Sequence, residues 1–160
     1  MPDPVAADPL AVHREPVRPE WIDYNGHLSE AYYVLVLGHA TDAVMAAVGL
    51  GEEHRSAYDA SLYTVEAHVR YLAEVPAGVD LEVRSRVIGA TGKLLWIWHE
   101  LYAEGRLRAT EEILGVHVVA GRSALFPEDV AARIAAVLSE PPEAAGGRIG
   151  LPQPVERRAR

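Results

Sequence analysis

Trp21-Ile22-Asp23-Tyr24-Asn25-Gly26-His27-Leu28-Ser29-Glu30-Ala31-Tyr32-Tyr33 carries an acidic side chain into a glycine-containing turn and sets a histidine beside it. It then runs straight into the longest apolar-periodic segment of the chain. That order predicts a helix whose N-terminus points at whatever binds next to Asp23, and a positive helix end beside a carboxylate suits a reacting carbonyl. Asn25 and Gly26 both tolerate left-handed backbone angles, and Gly26 lets a ligand approach the main chain closely. The loop is therefore expected to expose the backbone N–H groups of Gly26 to Ser29.

Downstream, Tyr33, Val36 or Leu37, Ala40, Val44 and Ala47 or Val48 recur at three-to-four spacing, which predicts one long helix from Ser29 to Val48. Ser29 is the expected N-cap and Gly49 the expected stop. Gly38, in mid-helix, is disfavoured there by roughly 1 kcal/mol relative to Ala, so something is expected to pack closely against it. Residues 51–59 read as a polar connection.

Strand signals follow. Ser61 to Tyr71 alternates, with Tyr63, Val65, Ala67, Val69 and Tyr71 on the face expected to be buried. Val79 to Ile88, Leu94 to Ala103 and Arg106 to Val119 are three more strands joined by short turns, so neighbours pair antiparallel. Upstream, Leu10 to Val17 is a short edge strand, limited by Pro16. Pro127 to Leu138 reads as a short amphipathic helix with acids in its first turn. The class is α+β, one long helix covered by an antiparallel sheet of about five strands, because a sheet face and a helix stripe bury each other. The boundaries are a loose lead at 1–9, one domain at 10–139 and an extended tail at 140–160. In Leu94 to Ala103, Trp96, Trp98 and Tyr102 share the face turned away from the helix, where an exposed aromatic patch would mark an interface.

The 160 residues are 49% hydrophobic and 24% charged, with a net charge of −8 and no cysteine. The acidic balance excludes a broad nucleic-acid footprint, and the missing thiols exclude disulfides and thiolate chemistry. No apolar run approaches a membrane span, and a soluble, cytoplasmic protein is expected. The seven histidines show no local metal-ligand spacing, and no nucleophile elbow or dinucleotide fingerprint is present, so neither metal nor cofactor is expected.

The run Asp23-x-x-Gly26-His27-x-Ser29-x-x-x-Tyr33 resembles the D-x-x-G-H-x-N-x-x-x-Y signature of hotdog-fold acyl-CoA thioesterases of the 4-hydroxybenzoyl-CoA thioesterase type. Within that superfamily the chain is similar to the betainyl-CoA thioesterase group of carnitine breakdown. Thr64-Val65-Glu66-Ala67-His68 with Arg70, Gly121-Arg122, and Arg148-Ile149 carry the likeness beyond the loop. Ser29 departs from the family's asparagine. The resemblance implies a hotdog fold and hydrolysis of an acyl-CoA thioester, with Asp23 as nucleophile or general base and Gly26 and His27 beside it.

Substrate-side candidates are Tyr24, Asn25, Glu30, Tyr33, Glu66 and His68. For a betainyl group, the tyrosines around the loop would supply aromatic faces, with Glu30 and Glu66 as counter-charges. Coenzyme A phosphates would be met by Arg70, Lys93 and Arg122. Two other classes stay open: a hotdog hydratase, which also uses an Asp and a His close in sequence, and a non-enzymatic acyl-CoA-binding protein. A homodimer or homotetramer is expected, with no nucleic-acid or membrane partner.

Overall fold

A computed structural model describes residues 8–150. Residues 1–7 of the lead and 151–160 of the tail, including the terminal arginines, lie outside the described residues. Strand β1 (Ala11–Pro16) leads through a 3-10 turn at Pro19–Trp21 into the Asp23 loop, and α1 (Glu30–Val48) follows. After α2 (Glu52–Tyr58) come β2 (Ala60–Tyr71), β3 (Asp80–Ala90), β4 (Leu94–Ala103), β5 (Arg106–Val119), the two-residue β6 (Arg122–Ser123) and α3 (Glu128–Val137). The sheet runs β1-β3-β4-β5-β2, antiparallel throughout, with β6 added beside β5. It curls around α1, the hotdog arrangement.

The helix stripe behaves as its spacing requires: Val36, Leu37, Ala40, Val44 and Val48 are fully buried. By length and composition α1 is apolar enough to cross a membrane, yet here the sheet buries its apolar stripe. Gly49 ends it in the left-handed region at φ 89°, as a C-terminal glycine does. Ser29 sits at the N-cap without a side-chain capping bond. The helix packs on β1, β3 and β4; the concave face of β5 is buried too, at Ala109, Glu111 and Ile113, while the second half of β2 stays half-buried to exposed.

Four readings need correction. Residues 51–59 are not a plain connection: Glu52–Tyr58 forms α2, with Glu52 and Glu53 at its positive end and Asp59 closing it in the left-handed region. The face of β2 expected to be buried is not, because a bulge between Thr64 and Glu66 switches the alternation. Ala60 and Leu62 point inward before it, whereas Tyr63 is 56% and Val65 59% exposed. Gly38 has no atom within 4 Å of where a Cβ would sit, so nothing in this chain explains it by packing.

The aromatic face of β4 is covered. Past α3, Leu138 bridges Val87 and the Ser139 N–H donates to the Val87 carbonyl at 2.8 Å. The chain then reaches the outer sheet face, where the N–H groups of Gly146 and Gly147 each donate to the Glu112 carboxylate at 2.9 Å. Trp96 Nε1 donates to that carboxylate too, at 2.9 Å, and Trp98 is left 3% exposed. Part of the segment read as an extended tail is thus pinned by a buried acid that needs donors.

Inside the fold, His99 links helix to sheet. The Thr41 hydroxyl donates to the Leu37 carbonyl at 3.2 Å, so it must accept from His99 Nε2–H at 3.0 Å. His99 Nδ1 then accepts the Ser85 hydroxyl at 2.7 Å, which fixes the neutral tautomer. Burial pushes the His99 pKa down to about 3, so the ring stays uncharged at neutral pH.

Candidate active site

Residues 21–29 fold back on themselves. Asp23 N–H donates to the His27 carbonyl at 2.9 Å, Gly26 N–H donates to the Asp23 carbonyl at 3.0 Å, and Gly26 takes φ 82°. A turn closed by a left-handed residue is what the Asn-Gly pair encodes. Leu28 N–H bonds the Val75 carbonyl and Ser29 N–H bonds the Trp21 carbonyl, tying the loop to the segment after β2 and to the 3-10 turn before it. The N–H groups of Gly26, Leu28 and Ser29 are thereby committed within the fold. In the first turn of α1 the N–H groups of Glu30 and Ala31 have no intrahelical acceptor.

Asp23 is half-buried, and its Oδ1 accepts the Asn25 N–H at 2.8 Å, an Asx turn that orients the carboxylate. It lines a cavity of about 460 Å³ with Asn25, His27, Glu30, Tyr33, Tyr71 and Glu74. His27 Nε2 faces Glu74 at 3.3 Å rather than Asp23. Tyr33 is buried, donating to the Ala73 carbonyl at 3.4 Å and accepting the Val75 N–H at 3.1 Å, while its ring meets Tyr71 edge-on at 5.1 Å. The Tyr71 hydroxyl donates to the Glu30 carbonyl at 3.3 Å. Tyr24 is 98% exposed and does not line this cavity, and Tyr32 stacks on Trp21 at 5.5 Å.

The remaining sequence candidates lie elsewhere. Glu66 and His68 fall on the opposite face of the sheet, lining a separate cavity of about 270 Å³ with Trp96, Glu112 and the Gly146-Gly147 strap. Within one chain they do not meet Asp23. Arg70 is exposed on β2, paired with Thr110. Lys93 Nζ reaches Ser123 Oγ at 3.2 Å, next to the exposed Arg122. That corner lies beside the start of β2, at the other end of the sheet from Tyr71, roughly 35 Å along the strands at 3.3 Å per residue.

Glu111 escaped the sequence reading. It is 4% exposed on the concave face of β5, opposite Val69 and His99, and diagonal to Tyr71 across the β2–β5 pair. Desolvation alone pushes its pKa up to about 7, with no cation or donor acting against it. Its charge in turn contributes to the raised pKa of Tyr71, after burial and Glu30. The signal was present: two adjacent glutamates inside a strand occupy opposite faces, so one of Glu111 and Glu112 has to face the helix side.

The thioesterase-like superfamily profile matches residues 17–134, which spans the loop, α1 and every strand of the sheet except the edge strand β1. A betainyl-CoA thioesterase of Pseudomonas aeruginosa is 42% identical over 152 residues, 89% of this chain and 96% of that protein. An L-carnitine dehydrogenase/betainyl-CoA thioesterase of Agrobacterium fabrum is 46% identical over 116 residues, 71% of this chain but 24% of that longer protein. Among solved structures, a hypothetical protein of Staphylococcus aureus in complex with CoA superposes with a TM-score of 0.80 at 28% identity, covering 88% of this chain and 94% of that one. With α1, the Asp23 loop and strands β2 to β6 inside the matched region, the chain belongs to the thioesterase-like superfamily and is a hotdog-fold thioesterase.

Proposed function

We propose that the chain hydrolyses the thioester of betainyl-CoA, releasing betaine and coenzyme A. The observation that carries the reading is the Asx-oriented carboxylate of Asp23 lining a cavity at the positive end of α1. There Asp23 takes the proton of an attacking water, or attacks the carbonyl itself to form a mixed anhydride that water then hydrolyses. The N–H groups of Glu30 and Ala31 polarise the carbonyl oxygen, and the coenzyme A thiolate leaves and is protonated. The 42% identity to a betainyl-CoA thioesterase supports the acyl group. A quaternary ammonium offers no hydrogen bond and is held by aromatic faces and carboxylates, here Tyr71 and Glu30 in the cavity lining, with Glu111 buried behind Tyr71 and acting through its charge.

The working form is a homodimer joined along β2. That strand is an unpaired edge twelve residues long, carrying the exposed Tyr63 and Val65, and an edge of that kind seeks a partner. Antiparallel pairing of two β2 strands sets the start of one beside the end of the other. The second copy's Lys93 and Arg122 then approach the Tyr71 end of the first copy's cavity, joining Arg108, which bonds the Glu74 carbonyl there at 2.8 Å, as bases for coenzyme A phosphates.

A panel of coenzyme A esters, read by free-thiol release, tests the reaction. Betainyl-CoA should exceed its uncharged isostere 3,3-dimethylbutanoyl-CoA by at least tenfold in kcat/KM, the value of one or two cation–π contacts at about 0.5–2 kcal/mol each. Equal rates would overturn the acyl assignment, and binding without thiol release would overturn hydrolysis. Light scattering should give at least twice the 17.4 kDa chain mass.

A further inference from the structure

A second polar cluster lies away from the Asp23 cavity, where β1 meets α1. His13 and Glu15 stand two residues apart on one face of β1, and His39 comes from the second turn-pair of α1. Glu15 Oε1 lies 2.9 Å from His13 Nε2 and 2.6 Å from His39 Nδ1. One potential ligand atom from each residue falls within 4.8 Å of the others. The two rings meet edge-on, with centroids 5.8 Å apart.

We propose that His13, Glu15 and His39 form a binding site for a divalent zinc-class cation, clamping the edge strand to the helix. Two imidazoles and one carboxylate are a ligand set for such an ion, with remaining positions filled by water. Ligands about 2.0–2.1 Å from a tetrahedral centre stand about 3.4 Å apart, so the carboxylate has to withdraw by roughly 0.5 Å from His13 and roughly 0.8 Å from His39. A terminal carboxylate can do that by side-chain rotation.

Access and charge also suit a cation. The side chains are 25%, 11% and 39% exposed for His13, Glu15 and His39, sheltered yet reachable from solvent. No lysine or arginine bonds to the cluster, since Arg14 and Arg84 turn to Glu82.

The placement has a consequence for the fold. β1 feeds the Asp23 loop and α1 leaves it, so a bound ion would tie together both segments that hold that loop.

The test is calorimetric titration of zinc chloride into tag-free, chelator-treated full-length protein, with a thermal melt alongside. Expected are one equivalent per chain with a dissociation constant of 10 μM or tighter, and a rise in Tm. His39→Ala and Glu15→Gln should each weaken binding at least tenfold, while His54→Ala, at the other histidine pair, should leave it unchanged. Circular dichroism establishes that each variant is folded, and ring nitrogen shifts of His13 and His39 on adding zinc give a readout that needs no variant. Absence of saturable binding, binding equally tight in His39→Ala, or ring shifts at other histidines alone would overturn the proposal and leave the cluster a hydrogen-bonded triad.

Discussion

Asp23→Asn should leave the protein folded and lower kcat on a good coenzyme A ester by about a hundred- to ten-thousandfold, the span that a positioned general base contributes. The fold should survive because the asparagine Oδ1 can still accept the Asn25 N–H at the 2.8 Å contact that shapes the turn. What is lost is the negative charge and the basic oxygen. Circular dichroism and Tm should match the wild type while thiol release falls. Turnover within about threefold of wild type would remove Asp23 from the chemistry. Asp23→Ala serves as the contrast: losing the Asx contact as well, it should lower Tm, where the asparagine variant does not.

Glu111→Gln should erase the preference for betainyl-CoA over 3,3-dimethylbutanoyl-CoA with little change on the neutral ester. Opposite charges about 5 Å apart at an effective dielectric near 20 attract by about 3 kcal/mol, so a loss of ten- to a hundredfold in kcat/KM is expected. An equal loss on both esters would make Glu111 a structural residue. The same variant has a signature in stability. The folded state raises this carboxyl from 4.5 to about 7, so it holds its proton more tightly than the unfolded chain does. The associated stability is full below pH 4.5 and is lost as pH rises to 7, by at most about 3 kcal/mol. Glu111→Gln should therefore gain Tm relative to wild type at pH 8 and not at pH 4.5. A cationic substrate analogue bound beside Glu111 should recover part of that loss in the wild type.

The fold was largely legible because its signals are local. The stripe of α1 repeats over five turns, the hairpin turns carry glycine, and Gly49 marks its own helix end. Asp23 was legible for the same reason, since the Asx turn and the helix start lie within eight residues. The misses share a different cause. The bulge at Val65 has no glycine or proline to announce it, and it turned a regular alternation into a face the single chain does not bury. Glu66 and His68 were grouped with Asp23 although the sheet separates them. The His13, Glu15 and His39 cluster joins residues 24 positions apart, so inspection of local histidine spacing could not find it. Glu112 draws Trp96 and the Gly146-Gly147 strap to itself over 34 positions, a closure that only the folded sheet defines.

The chain of hydrogen bonds through His99 also gives the molecule a built-in clock. The Nε2 proton is fully enclosed and held by Thr41 on α1, while the ring belongs to β4. It can trade with deuterium only when the helix lifts from the sheet, so its exchange rate counts those openings directly. An imidazole proton that persists in heavy water for as long as the slowest core amides would mean that α1 parts from β4 only in global unfolding. A faster exchange would report a partial opening of the seam on which the Asp23 loop rests.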